Sequence, residues 1–237
     1  MIVRNKTHMH IGLFLGISFF GVLLLIFSPI FGNGRNGLEF SDDLFNKLAK
    51  GSSYFVPELT TGLKEVQGQE FAAAIKMETA EQAGKAVSIM TKAGAQASNQ
   101  GQEVKINANL AKLLTVVLDD SSAMYYNKGS EISSKYGMDE KEVMATWWAA
   151  LNKSVKELQK SKNTVQANVI MEVMKKGIEP AYNFYHIEAQ KVSEKAGTVL
   201  LLLVFYIGYT MWWGFSIFYL FDGLGLSMKK AKVKQEV

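Results

Sequence analysis

Two long uncharged runs dominate the hydrophobic pattern of this 237-residue chain, one near each end. The first covers 21 residues from Ile11 to Phe31, and the second covers 26 residues from Ala196 to Phe221. At about 1.5 Å per helical residue, either run can cross a hydrocarbon core of roughly 30 Å. The pattern predicts two transmembrane helices, at residues 11–31 and 198–221.

A cleaved signal peptide is the alternative interpretation of the first run. Signal peptides have an apolar region of about 7–15 residues and end in small residues at the cleavage site. This run is longer and ends in Ser28-Pro29-Ile30-Phe31. The sequence therefore favours an uncleaved membrane anchor.

Between the spans, within residues 69–128, the hydrophobic period changes to two in short segments. The segments EFAAAIKM and VKINANL alternate as strands do. Between them Thr79 and Gln82 have the spacing of a capping box that opens a helix, and Asn99–Gln102 has the composition of a turn. The order β-α-β-β-α predicts a small α+β unit with a one-sided sheet. An all-helical fold is the alternative, since alanine-rich strands are poor strands.

Helical spacing covers residues 129–197. Asp139 and Glu142 are expected to cap a helix with one buried stripe, and a valine stripe (Val165, Val169, Val173) predicts the next helix. Pro180 suits the first turn of another helix. Because no glycine or proline occurs from Ala181 to Ala196, this helix is expected to continue into the second span. The residues expected to couple the domain to the membrane helix are Pro180, Tyr185 and His186.

Residues 32–68 are predicted to form a juxtamembrane helix and a linker. Ser41 is the expected N-cap, Asp42–Asp43 face the positive end of the helix dipole, and Gly51 ends the helix. Metal ligation is the alternative role for the two aspartates. The apolar face, expected to pack on the domain or alternatively to lie on the membrane surface, consists of Leu44, Phe45 and Leu48.

Residues 32–37 match the G-x-G-x-x-G pattern of dinucleotide-binding loops. Such a loop follows a β-strand and opens a crossover helix, whereas this one follows an apolar span. The glycines are interpreted as a flexible turn where the chain leaves the lipid, with a nucleotide site as the alternative.

The net charge of +4 is confined to the ends of the chain, because residues 32–197 carry 20 basic and 20 acidic side chains. By the positive-inside rule, both termini are expected in the cytoplasm, as a leader at 1–10 and a basic tail at 222–237. Residues 32–197 would then lie in the periplasm of a bacterium with both spans in its cytoplasmic (inner) membrane. Nucleic-acid binding is disfavoured, since it would require the surplus charge on the folded domain.

The sequence contains no recognisable catalytic motif. The absence of cysteine excludes thiolate metal sites and cysteine nucleophiles. Of the three histidines, His8 and His10 lie in the leader and His186 lies before the second span, so a bis-histidine haem site between the spans is not expected within one chain. Asp119–Asp120 is interpreted as a helix end or an exposed turn, with a divalent-cation site as the alternative. No enzyme activity, metal or cofactor is expected.

Features of both spans indicate association of membrane helices. Gly12 and Gly16 are four residues apart, with Gly21 further along, and small residues at this spacing let helix backbones approach. Tyr209, Trp212 and Trp213 lie deeper than an interfacial aromatic belt requires. They are expected to contact a neighbouring helix or lipid, with a quinone-like ligand as the alternative.

The sequence therefore predicts an α-rich membrane protein in which two transmembrane helices flank an extracytoplasmic α+β domain. Its expected partners are the lipid bilayer and either copies of itself or other membrane-protein subunits, for which it would act as a subunit or scaffold. The alternative functions are an extracytoplasmic ligand-sensing receptor with a separate cytoplasmic partner, and an enzyme or a redox subunit that borrows ligands from another chain.

Overall fold

A computed structural model describes residues 3–226 of the chain. The chain divides into two compact units. The first, here called the helix pair after its two long helices, comprises the chain up to residue 45 and from residue 191. The second, the central domain, comprises residues 46–190. Most of the predicted basic tail, including Lys229, Lys230, Lys232 and Lys234, lies outside the described residues.

The helix pair contains α1 (Lys6–Phe27) and α10 (Val192–Gly223). Both are long and apolar enough to cross a membrane by length and composition. The helix α1 starts at Lys6, earlier than the predicted Ile11, because the Asn5 side chain accepts the His8 backbone N–H and caps the helix. It ends at Phe27, before the predicted Phe31, because Pro29 forces the residue before it out of the helical region.

The glycine-rich segment after α1 forms a left-handed turn, with positive φ angles at Gly32, Asn33 and Gly34. It leads into α2 (Gly37–Gly51). The predicted start of this helix at Ser41 is wrong. Asn36 caps it instead, because its side chain accepts the backbone N–H groups of Leu38 and Glu39. Ser41 lies inside the helix and donates back to the Gly37 carbonyl oxygen.

The predicted β-α-β-β-α order is the order found in the central domain. After α3 (Val56–Gly62) and a 3-10 turn (Leu63–Val66) come β1 (Glu70–Lys76), α4 (Ala80–Lys92), β2 (Gln96–Gln100), β3 (Glu103–Asn109) and α5 (Leu110–Tyr125). The sheet is antiparallel with the order β1-β3-β2. Its alternate side chains Phe71, Ile75, Val104 and Ile106 are buried, while α4 and α7 pack on the strands.

Helices complete the central domain: α6 (Gly129–Tyr136), α7 (Glu140–Lys160), α8 (Thr164–Val173), a π-helical turn (Met174–Ile178) and α9 (Glu179–Asn183). Asp139 caps α7 as predicted, and the predicted stripe of α7 is buried throughout: Val143, Trp147, Leu151, Val155 and Leu158. The valine stripe predicted for α8 is wrong. Val165 is exposed, and the buried face consists of Ala167, Ile170 and Val173.

The predicted continuous helix from Pro180 into the second apolar run is wrong. The helix α9 ends at Asn183, and α10 begins only at Val192. His186 has a φ of 66°, and its backbone N–H donates to the Asn127 side chain at 2.8 Å. The Ile187 carbonyl oxygen accepts from the side chains of Lys50 and Asn127. Side chains therefore bind the backbone groups that a continuous helix would pair internally.

Candidate functional site

The two long helices run antiparallel, and small residues lie where they meet. Gly12 is buried, and a Cβ atom added there would lie 2.7 Å from the Leu220 backbone nitrogen. A Cβ atom at Gly16 would lie 3.0 Å from the Ser216 hydroxyl oxygen. Gly21 has open space around its Cβ position. Two of the three predicted glycines thus face α10 of the same chain, Gly12 against its backbone and Gly16 against the Ser216 side chain.

Polar side chains of α10 donate to backbone carbonyl oxygens of α1. The Ser216 hydroxyl donates to Gly12 at 2.9 Å, and the Trp212 indole N–H donates to Leu15 at 3.1 Å. The Tyr209 hydroxyl donates to Phe19 at 3.1 Å. Each donor would be costly to leave unpaired in an apolar medium, so these three bonds stabilise the pairing and fix its register.

Aromatic rings extend the contact between these helices. The Phe19 ring stacks on Tyr209 with ring centroids 4.2 Å apart and lies 4.8 Å from Trp213. Phe20 meets Trp213 edge-on at 5.6 Å. The aromatic residues Tyr209 and Trp213, which the sequence predicts to contact a neighbouring helix, lipid or ligand, therefore contact α1 of the same chain. The outer faces remain open: Phe14 and Ile17 are 70% and 71% exposed.

At one end of the helix pair, His8 and Asp222 form a polar contact that the sequence analysis does not predict. The imidazole Nδ1 of His8 lies 2.6 Å from a carboxylate oxygen of Asp222, and the ring meets Tyr219 edge-on. The backbone N–H groups of Arg4 and Asn5 both donate to the Gly223 carbonyl oxygen. His8 belongs to the predicted leader and Asp222 to the predicted tail, and only the antiparallel pairing of α1 and α10 brings them together.

Near the two ends of the central domain, the buried side chain of Lys50 binds the backbone. Lys50 is 1% exposed, and its Nζ donates to the Ile187 carbonyl oxygen at 2.6 Å and to Asn127 Oδ1 at 3.1 Å. Burial lowers its pKa, and the nearby Glu188 opposes this effect. The Gln190 backbone N–H also donates to the Lys47 carbonyl oxygen at 3.0 Å. We call these contacts the end clamp, because they join the two ends of the domain.

Of the predicted coupling residues, His186 contacts the end clamp, because its backbone N–H donates to Asn127 Oδ1. Pro180 is in the first turn of α9. Tyr185 is buried, and its hydroxyl donates to Glu140 Oε1 at 2.8 Å. Burial and this bond raise the pKa of Tyr185 to about 12. The pKa of Glu140 is lowered by its own backbone N–H and by the hydroxyls of Tyr185 and Ser133. A role in coupling stays a prediction for Pro180, Tyr185 and His186.

The interpretation of Asp120 as part of a helix end or an exposed turn is wrong. It lies inside α5, is buried, and accepts from Lys135 Nζ at 2.7 Å and from the Tyr136 hydroxyl at 2.6 Å. The Trp147 indole N–H donates to the same carboxylate at 3.1 Å. Burial raises the pKa of Tyr136, and its bond to Asp120 adds to this effect. Three donors on α6 and α7 thus explain a carboxylate that the sequence offered as a metal ligand.

An apolar groove of about 320 Å³ lies between α7 and the segment 178–183. Trp148 and Tyr182 are half-exposed at its sides, and the Trp148 indole N–H donates to Glu179 Oε1 at 3.0 Å. The remaining lining comes from Met144, Ala145, Ile178 and Asn183. Its volume lies at the lower end of the range for small-molecule sites.

Within residues 3–226, no group of three or more histidine, aspartate or glutamate side chains is placed to hold a metal ion. No protein-family model, no curated protein and no solved structure matches the chain.

Proposed function

We propose that this chain is a non-enzymatic, two-span membrane protein whose central domain mediates assembly, as a subunit or scaffold of a membrane complex or homo-oligomer. The observation that carries the proposal is the exposed apolar surface of the helix pair. Phe14, Ile17 and Leu24 on α1 and Leu201 and Tyr206 on α10 are each about two-thirds exposed or more. A surface of this kind requires lipid or apolar protein as its surroundings.

The hydrogen bonds of three charged groups in the central domain support a structural role rather than a catalytic one. Asp120, Glu140 and Lys50 are each bound by two or more groups of the same domain. A general acid, base or nucleophile needs a reactive atom within reach of a substrate. These three side chains instead connect α2, α5, α6, α7 and the segment after α9.

The antiparallel pairing of α1 and α10 supports a topology with both ends on the same side of the membrane. Under the positive-inside rule that side is the cytoplasm, since Arg4 and Lys6 precede α1 and four lysines follow α10 in the sequence. The central domain then faces the periplasm. Because the chain has no cysteine, single introduced cysteines report directly on sidedness.

The topology test uses Gln100→Cys in the central domain and Thr7→Cys at the start of α1, both at exposed positions. A membrane-impermeant maleimide added to intact cells is expected to label position 100 and to label position 7 only after the membrane is permeabilised. Labelling of position 7 alone in intact cells would reverse the proposed orientation.

The assembly test is the mass of the full chain extracted in mild detergent and reconstituted into lipid nanodiscs. The chain mass is 26.3 kDa, and we expect a defined multiple of it or a complex with co-purifying subunits. A single, monodisperse 26.3 kDa species in both environments would contradict the proposal.

A ligand-sensing receptor with a separate cytoplasmic partner is the second candidate, favoured by the groove beside Trp148. Here native mass spectrometry of the purified chain is expected to detect a bound small molecule, which Trp148→Ala would lose. Val165→Ala, at an exposed position on α8, is the matched control. If both the wild type and Trp148→Ala have the mass of their own bare chain, the groove holds no ligand, which would count against the receptor.

A further inference from the structure

The strand β2 lies at an edge of the sheet and is exposed along most of its length. Its five residues, Gln96–Gln100, include no charge and no proline. Edge strands of natural proteins usually carry such features, since an uncovered edge pairs readily with another strand. Shortness is the one protective feature that β2 has.

The hairpin geometry shows which backbone groups of β2 point away from the sheet. A two-residue loop, Gly101-Gln102, joins β2 to β3, and Gly101 has the positive φ that a type II′ turn needs. In such a hairpin the closing pair Gln100–Glu103 is hydrogen-bonded, and every second pair after it is bonded too, including Ser98–Lys105. The N–H and C=O groups of Ala97 and Asn99 therefore point to the open edge.

The opposite edge of the same sheet is protected. By the same alternation, the backbone of Glu70 in β1 points outward, and its carbonyl oxygen accepts from the Gln166 side chain at 3.1 Å. Charged side chains, Glu70 and Lys76, also stand at the two ends of β1. For β2, no described side chain makes a corresponding bond to the outward backbone groups of Ala97 or Asn99.

We infer that β2 pairs with β2 of a second copy of this chain, antiparallel and about a two-fold axis through Ser98. Ala97 of each copy then faces Asn99 of the other, and each such pair exchanges two backbone hydrogen bonds. Two three-stranded sheets become one sheet with the order β1-β3-β2-β2-β3-β1. This inference rests on the proposed assembly function and names its partner and its surface.

A second copy suits this edge because the sequence of β2 is nearly symmetric about Ser98. In the order Gln-Ala-Ser-Asn-Gln, the two-fold axis places Gln96 opposite Gln100 of the second copy and Ser98 opposite itself. No like charges face each other within the paired strands, and glutamine side chains can both donate and accept. Small side chains at the centre let the two backbones approach.

The membrane anchor makes such a small contact sufficient. Four backbone hydrogen bonds give a weak dimer in solution, since each contributes only about 0.5–1.5 kcal/mol and association has its own entropic cost. Two chains held in one membrane meet at a much higher effective concentration, which favours weak contacts by the same principle as a linker does.

The test is disulfide cross-linking of full-length Ser98→Cys in native membranes under mild oxidation. In the paired sheet the two residues at position 98 form a non-hydrogen-bonded pair with Cα atoms about 4.5 Å apart, within the range of a disulfide. The matched control is Lys105→Cys, exposed on the same sheet face but about 14 Å from its equivalent, three strand spacings away. We expect at least about tenfold more dimer from position 98, because only that pair lies within disulfide reach.

A mixed pair tests the register. Gln96→Cys and Gln100→Cys, co-expressed, are expected to cross-link to each other, while each alone yields little, since equivalent positions lie about 14 Å apart. A third set of variants adds charge at position 98 of the Gln96→Cys and Gln100→Cys pair. Ser98→Lys in both copies is expected to abolish the mixed cross-link, because like charges then face each other. Ser98→Lys in one copy and Ser98→Glu in the other is expected to restore it. Equal cross-linking at positions 98 and 105, or no gain in the mixed pair, would overturn the inference.

The result stays distinct from that of the proposed function. An oligomer of defined mass without a cross-link at position 98 would overturn this pairing and leave the assembly function standing. A monomer in lipid nanodiscs that also fails to cross-link in native membranes would contradict both.

Discussion

In the central domain the large apolar side chains Trp147 and Phe71 are fully buried, whereas Ile17 and Leu24 in the helix pair are each 71% exposed. The polar contacts differ as well. Asp120 in the central domain is a buried carboxylate with three donors, while the helix pair is joined by single hydroxyl and indole donors to backbone oxygens. Under the proposed function, the difference is the adaptation of one chain to two media, because burial of apolar surface stabilises structure only where water is the alternative.

The largest expected effect comes from the buried carboxylate of the central domain. Asp120→Ala leaves the buried Tyr136 hydroxyl and Trp147 indole N–H without their shared acceptor, and each buried donor left unpaired costs about 1–3 kcal/mol. We expect a large fall in the urea midpoint of the full chain in detergent, followed by tryptophan fluorescence.

The neighbouring Asp119 is exposed, so Asp119→Ala is the control, with an expected change within about 0.5 kcal/mol. Similar midpoints for both variants would show that the contacts of Asp120 do not hold α5, α6 and α7 together.

The second effect sharpens the comparison in the helix pair. Gly12→Val places a side chain against the Leu220 backbone, and overpacking of this kind costs about 1–3 kcal/mol. Gly21→Val makes the same change in helix propensity but has open space around it. The measurement is unfolding of the detergent-solubilised chain by increasing SDS. If Gly21→Val is as damaging as Gly12→Val, the close approach of α1 to α10 is not what stabilises the pair.

A pH-dependent effect follows from the raised pKa of Tyr185, about 12 in the folded chain against an ordinary 10.0. The unfolded chain loses this proton first, so the stabilisation is complete below pH 10 and is lost as the pH rises from about 10 to 12. Tyr185→Phe is expected to weaken this alkaline loss in thermal melts taken at increasing pH.

Tyr182→Phe, at a half-exposed ring on the same segment, is the control for the Tyr185 melts and should follow the wild type. An unchanged slope for Tyr185→Phe would mean that its bond to Glu140 does not persist in solution.

The smallest effect concerns a single hydroxyl between the two long helices. Ser216→Ala removes the bond to the Gly12 carbonyl oxygen, and such bonds average about 0.6 kcal/mol in membrane proteins. Thr210→Ala is the comparison, because within the described residues the Thr210 hydroxyl donates to the Tyr206 carbonyl oxygen of its own helix. Measured in the same SDS titration, Ser216→Ala should be the less stable of the two, and the reverse order would remove this bond from the account of the pairing.

Local signals predicted the elements of the central domain well. The alternation in β1 and β3, the caps at Thr79 and Asp139, and the buried stripe of α7 each depend on residues within a few positions of one another. Side-chain period and cap chemistry act at that range, so they could be read without knowledge of the fold.

The errors arose where distant residues decide. Asp120 was taken for an exposed turn residue because its three donors come from α6 and α7. The break after Asn183 was missed because Asn127 and Lys50, far away in sequence, bind the backbone of His186 and Ile187. The start of α2 is different: Asn36 with Glu39 is a local capping signal, and the prediction of a cap at Ser41 did not take it into account.

The end clamp has a mechanical consequence. Lys47 and Gln190 are joined by a backbone hydrogen bond. A force that draws the two ends of the central domain apart therefore acts first on that bond and then on the Lys50–Ile187 bond. The force would reach the core around Trp147 only after these two hydrogen bonds had broken. A pull on the two ends of the central domain would therefore release those ends while leaving its interior folded.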